Sequence, residues 1–199
     1  MFSLREEDRM KCNSRTIATI WALVLCAGTL FGQAPEKSSN ADWQATLNQR
    51  LSVYGHRNWI IVADAAFPAY SESGIETIVA NEDLPLVLKY VVGAIRSSKH
   101  LRATAFLDQE LQFVGEEDYP GVTHLREGIN GILTGSNTSS IPHSEVLSRI
   151  DDAGKTFRIL FIKTNATIPY TSVYMRLDCG YMTDEVDRKI KNAVASTRK

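Results

Sequence analysis

Apolar positions along the chain alternate between two periods. Trp43, Leu47, Leu51 and Tyr54 recur at helical spacing and predict one face of a helix that Gly55 ends. Residues 59–63 (WIIVA) form an unbroken apolar run, the pattern of a strand buried on both faces of a covered sheet. Residues 75–80 predict a second strand. Asp83, followed by Leu84 and Pro85, predicts a capped helix start, with Leu88, Val91, Val92 and Ile95 as its core face. In residues 101–107, Ala103, Ala105 and Leu107 alternate with Arg102, Thr104 and Phe106, a third strand. An acidic loop over 116–120 leads to a helix marked by Val122, Leu125, Ile129 and Ile132 and closed by Gly135. Residues 135–141 read as a polar loop, and Pro142 and His143 open a helix carrying Val146, Leu147 and Ile150. Residues 157–162 and 171–177 are β-branched and aromatic strands. Thr183 caps a last helix with Asp184 and Glu185 in its first turn and an apolar stripe of Val186, Ile190 and Val194. Helices interleaved with strands predict an α/β fold.

The first residues change the picture of where the folded part starts. Residues 17–31 (IATIWALVLCAGTLF) are apolar and uncharged, with Lys11 and Arg15 before them and small or turn-prone residues after. A basic start, an apolar middle and a small-residue exit are the marks of a secretory signal peptide. Residues 1–32 are therefore expected to be removed, with translation beginning at Met10, and residues 33–41 to be a linker. An uncleaved anchor is the competing reading, but the run is shorter than the roughly 20 residues a span needs. The expectation is an exported protein, periplasmic or secreted, with no membrane contact after cleavage.

The 199 residues are 44% hydrophobic and 23% charged, ordinary globular usage that excludes wholesale disorder and a multi-span membrane protein. A net charge of −1 gives no basic stripe, so no nucleic-acid partner is expected. Cys12, Cys26 and Cys179 form no CxxC pair, and only Cys179 survives signal removal, which excludes an internal disulfide.

No Gly-rich phosphate loop, GxSxG elbow or HExxH pair is present. The candidate residues are His56, between a helix end and a buried strand; Asp64, at that strand's carboxyl end, where open α/β sheets place ligands; His143, at a helix start; and Tyr170, before the last strand. Each has a plain structural reading: His56 as a helix cap, Asp64 bonding its own turn, His143 on the surface, Tyr170 in the core. His100 and His124 read as structural or solvated. His56, Asp64 and His143 are ligand types that hold zinc, but no spacing supports a metal site and none is expected.

Residues 55–68 (GHRNWIIVADAAFP) resemble the opening motif of the D-ribose pyranase and fucose mutarotase family: Gly-His, an apolar strand, then Asp-Ala and a proline, with eight residues from histidine to aspartate. Residues 169–173 (PYTSV) resemble that family's Tyr-x-Asn before its last strand, with Ser172 in place of asparagine, and His143 falls where ribose-type members carry a histidine. Ala166 lies near a position often held by glutamate. The resemblance covers residues 42–182. It implies a single three-layer α/β/α domain, to which residues 183–199 add a helical extension, and a homo-oligomer. It also implies a cofactor-independent isomerase, a mutarotase or pyranase that opens a ribose- or fucose-like monosaccharide ring by acid–base chemistry. His56 would be the catalytic acid and Asp64, His143, Tyr170 and Ser172 the substrate-binding residues, with Phe67 or Tyr70 against the sugar's apolar face. His56 and Asp64 are expected at one concave site; they flank one strand, so they meet only if residues 55–59 fold back or a neighbouring subunit supplies one of them. A non-catalytic monosaccharide-binding protein on the same scaffold is the alternative, and an exported hydrolase a third.

Overall fold

The structure, a computed structural model, describes residues 41–197. The signal-peptide expectation and all but the last residue of the expected linker lie outside these residues. The described elements run α1 (Ala41–Val53), β1 (Trp59–Ala63), β2 (Ile75–Val79), α2 (Leu84–Ser97), β3 (Leu101–Asp108), a short 3-10 helix (Gln109–Phe113), α3 (Val122–Leu133), β4 (Asn137–Ile141), α4 (His143–Gly154), β5 (Ile159–Lys163), β6 (Val173–Cys179) and α5 (Asp184–Ser196).

The six strands form one sheet in the order β2-β5-β1-β6-β3-β4. β1 runs parallel to β5, β5 to β2 and β3 to β4, while β6 is antiparallel to both of its neighbours. The carboxyl ends of the five parallel strands and the amino end of β6 therefore share one edge of the sheet.

Helices cover both faces, giving three layers. Leu47 and Leu51 of α1, Leu88 and Val91 of α2 and Ile129 of α3 pack on Ile60, Val62, Leu160, Ile162, Met175 and Leu177. On the other face, Val146 and Ile150 of α4 pack on Trp59, Ile61, Ile159, Phe161 and Tyr174. β1 and most of β5 are buried on both faces, as continuous apolar runs require. Burying a side chain such as Ile61 contributes about 1.5–3 kcal/mol.

Several local expectations are corrected. Residues 137–141 (NTSSI) are a strand, β4, at the sheet edge; four of its five residues are exposed, so no apolar alternation announces it. Gly55 is not the left-handed residue after α1. Arg57 takes that conformation (φ 76°), and the Asn58 side chain accepts a hydrogen bond from the Gly55 N–H at 2.8 Å, tightening the turn. Asp83 stands before α2 without a side-chain cap bond, whereas the Thr183 hydroxyl does accept from the Val186 N–H. α3 is capped from the loop that precedes it: the Glu116 carboxylate accepts from the N–H groups of Gly121 and Thr123. α5 buries no residue; its apolar stripe is half exposed.

Candidate functional site

Four of the five sequence-derived site residues meet at the shared edge. Asp64 follows β1, and its Oδ1 accepts the Ala66 N–H at 3.0 Å, a turn bond that short acidic side chains make readily. Its Oδ2 accepts the Ser172 hydroxyl at 2.8 Å, and the Ser172 oxygen in turn accepts the Asp64 N–H at 3.1 Å. Ser172 is only 1% exposed. It braces the Asp64 carboxylate and is not among the residues that line the neighbouring cleft.

His143 begins α4, where both Glu110 carboxylate oxygens accept its backbone N–H at 3.0 and 3.1 Å. Its Nδ1 lies 3.0 Å from Oδ2 of Asp108, the last residue of β3. Asp108 is buried, and the Tyr174 hydroxyl donates to the same Oδ2 at 3.3 Å. Burial pushes the Asp108 carboxyl from its ordinary 3.8 up to about 6, against the opposing pull of His143. The Tyr174 phenol is pushed up as well, first by burial and then by the Asp108 charge. Sequence reasoning missed Asp108. Its signal, an acid closing an apolar strand, acquires meaning only beside His143.

Tyr170 adopts a left-handed backbone (φ 62°), which turns the chain into β6 and sets its ring edge-on to His143, 5.4 Å between centroids. Phe67 is buried against Phe161 and Tyr174, and Tyr70 stacks on Phe161. Burial and the nearby Asp151 raise the Tyr70 phenol to about 12, so it stays neutral and able to donate.

These groups surround a cleft of about 360 Å³ lined by Asp64, Phe67, Tyr70, Tyr119, His143 and Tyr170, with Leu147 and residues 167–169. That volume suits a small ligand. A carboxylate and an imidazole face each other between aromatic walls, and no Lys or Arg lines the space.

His56 is elsewhere. It precedes β1, and that strand's five residues separate it from Asp64 by about 16 Å or more at 3.3 Å per residue. Its side chain is 60% exposed at the opposite edge of the sheet, Nε2 3.5 Å from Oδ1 of Asp178. Thr104 and Arg176 donate to the other oxygen of Asp178. Residues 55–58 make a tight turn and do not fold back, so within one chain His56 and Asp64 do not share a site. Nor do His56, Asp64 and His143 come together as metal ligands; among the described residues no cluster of three His, Cys, Asp or Glu is placed to hold a metal. His100 lies 3.1 Å from the Leu51 carbonyl and His124 is exposed.

No protein-family model and no curated protein sequence matches the chain. Solved structures similar to it include RbsD of Bacillus subtilis complexed with D-ribose, at 14% identity and a TM-score of 0.48, over 70% of this chain and 94% of that one. The fucose mutarotase of Streptococcus pneumoniae in complex with L-fucose matches at 17% identity and 0.45, over 74% and 97%. FucU of Bifidobacterium longum matches at 15% and 0.43, over 67% and 94%. These are structures of the ribose pyranase and fucose mutarotase family, the family that residues 55–68 resemble. At such identities the likeness is one of fold, and the chemistry open to this chain lies in the residues of its own cleft.

Proposed function

We propose that the protein binds a free monosaccharide in the cleft at the carboxyl edge of the sheet and interconverts its cyclic forms by acid–base ring opening. The observation that carries this reading is the pairing of a braced Asp64 with His143 across an aromatic-walled cleft. An ionised carboxylate is a strong acceptor for sugar hydroxyls. Tyr70 and Tyr119 offer ring faces to the C–H side of a pyranose or furanose, and Tyr170 and His143 hold its opposite edge. The lining has no Lys or Arg, and Asp64, Asp108 and Glu110 lie at or behind it. This favours a neutral sugar over a sugar phosphate. The reaction moves only protons, so it calls for no cofactor.

Ring opening requires one proton given to the ring oxygen and one taken from the anomeric hydroxyl. His56 is the proposed acid, because an imidazole changes charge near neutral pH. Its place at the far edge means that a second copy must bring it to the cleft, in a homo-oligomer. The far edge of one copy against the cleft edge of the next is a heterologous contact, which generates a ring where its rotation closes. Residues 1–32 are proposed as a signal peptide that exports the protein; mass spectrometry showing an intact N-terminus in cytoplasmic protein would overturn that part.

One observation favours a second reading. A single chain holds the cleft without His56, so the protein serves equally as a non-catalytic monosaccharide-binding protein. Saturation-transfer NMR on ribose, fucose, galactose and glucose separates the two. Binding with ring exchange supports the isomerase, binding without exchange the binding protein, and no binding of any of the sugars overturns both.

A further inference from the structure

We infer that His143 is the general base of ring opening and that Asp108 is its positioning residue, the two forming a proton-transfer pair carried entirely by one chain. The inference rests on the proposed ring-opening function and adds the group that removes the anomeric proton.

The geometry is specific. Nδ1 of His143 is sealed from solvent 3.0 Å from Oδ2 of Asp108, close in distance but not aligned as a hydrogen bond, while a third of the His143 side chain is exposed. His143 lines the cleft, and its ring has Nε2 as the nitrogen left to meet a ligand there. A carboxylate beside Nδ1 favours the proton on that nitrogen, and the tautomer with Nδ1 protonated has a free lone pair on Nε2, as a base requires. Backbone anchoring by Glu110 at the start of α4 and the edge-on Tyr170 ring hold the imidazole in place.

The state of Asp108 argues against a merely structural pair. Its Oδ1 is buried and accepts no hydrogen bond from any described residue, and Oδ2 is shared between His143 and the Tyr174 hydroxyl. A buried carboxylate so incompletely satisfied costs stability, and its raised pKa records that cost. The groups facing it are His143 from α4, Tyr174 from β6 and Glu110 from the 3-10 helix. No arginine or lysine neutralises it. The His143 ring, 3.0 Å away, is the group placed to carry a compensating charge beside it.

In the step, Nε2 of His143 takes the anomeric hydroxyl proton. The electron pair left on that oxygen forms the carbonyl as the bond from the anomeric carbon to the ring oxygen breaks. The ring oxygen takes a proton from the acid, His56 of a second copy. Reclosure on either face reverses the transfers, and the sum of protons is unchanged.

The test compares ring-exchange rates of wild type, His143→Gln and Asp108→Asn by saturation-transfer NMR, with sugar affinity measured on the same samples. His143→Gln is expected to slow exchange by about 10²–10⁴-fold while sugar still binds, and added imidazole to restore part of the rate in His143→Ala. Asp108→Asn is expected to slow exchange by at least about tenfold and to shift the His143 ring ¹⁵N signals away from the Nδ1-protonated tautomer. Wild-type exchange in a folded His143→Gln protein overturns the inference and leaves the isomerase reading standing. Unchanged ¹⁵N signals in Asp108→Asn overturn the role of Asp108. Absence of exchange in the wild type overturns the isomerase reading, and the inference falls with it.

Discussion

Replacing Asp108 with asparagine should make the fold more stable at neutral pH, an unusual outcome for a buried residue with two partners. The Asp108 carboxyl is held at about 6 against an ordinary 3.8, mainly by burial. In the folded protein the group therefore binds its proton more tightly than in the unfolded chain. Between those two values the native state holds more protons, so stability falls as pH rises through the window. The contribution is fully present below about pH 4 and lost above about pH 6. A shift of about two units corresponds to roughly 3 kcal/mol. Asparagine keeps the shape and an acceptor for Tyr174 but forfeits the attraction to His143, so the net gain at pH 8 should be about 1–2 kcal/mol. Urea unfolding of both proteins from pH 4 to pH 8 is the assay. The variant should match or fall below wild type at pH 4 and exceed it at pH 8. Repeating the comparison in a His143→Gln background isolates the pair. A difference between the two proteins that stays flat across this range would refute the reasoning, because it would mean that Asp108 is not paying for its burial as an ion.

Ser172→Ala should weaken sugar binding about tenfold, or about 1.4 kcal/mol, by freeing the Asp64 carboxylate, visible by calorimetry, and should lower the melting temperature by a few degrees because a buried bond is lost as well. Gly74→Ala should destabilise by about 1–3 kcal/mol, because a Cβ there meets the Gly154 carbonyl oxygen at 2.5 Å; an unchanged urea midpoint would count against that close approach. If a neighbouring copy supplies His56, mixing inactive His56→Ala with inactive Asp64→Asn should restore part of the exchange activity through hybrid assemblies, and a mixture as inactive as its parents would refute a shared site.

The parts of the fold that could be read directly from residue order were those in which burial covers whole elements. WIIVA had to be a doubly covered strand, and the stripes of α2, α3 and α4 had to be core faces, because each has enough apolar positions to set a period. β4 escaped because an edge strand with polar side chains on both faces has no period to read; only its ladder to β3 makes it a strand. The caps divided the same way. Thr183 acts on its own helix and was legible, whereas Glu116 caps α3 from across a loop and was not. At the site, Asp64 and His143 stood out by position. The brace from Ser172 was not legible, because it depends on the antiparallel insertion of β6 beside β1.

The same insertion explains why His56 and Asp64 read as one site and are two. In sequence they are eight residues apart, and the motif treats them as a unit. In space the strand between them is central, paired with β5 on one side and β6 on the other, so its ends are fixed at opposite edges of the sheet. No rotamer or loop adjustment closes that distance. β3 and β6 supply each end with its own acid: Asp108 stands behind His143 at the cleft, and Asp178 stands beside His56 at the far edge. Among the described residues two histidines thus stand beside a carboxylate, and each lines a cleft of its own: His143 the space of about 360 Å³ and His56, with Asp178, Arg102 and Arg176, one of about 520 Å³. The His56 cleft is lined by charged groups of both signs, Arg102, Arg176 and Lys191 with Asp178, Asp184 and Asp187, whereas the His143 cleft has aromatic walls. Under the proposed ring opening, the donor therefore comes from another copy, because the ends of a central strand paired on both sides cannot approach each other within one chain.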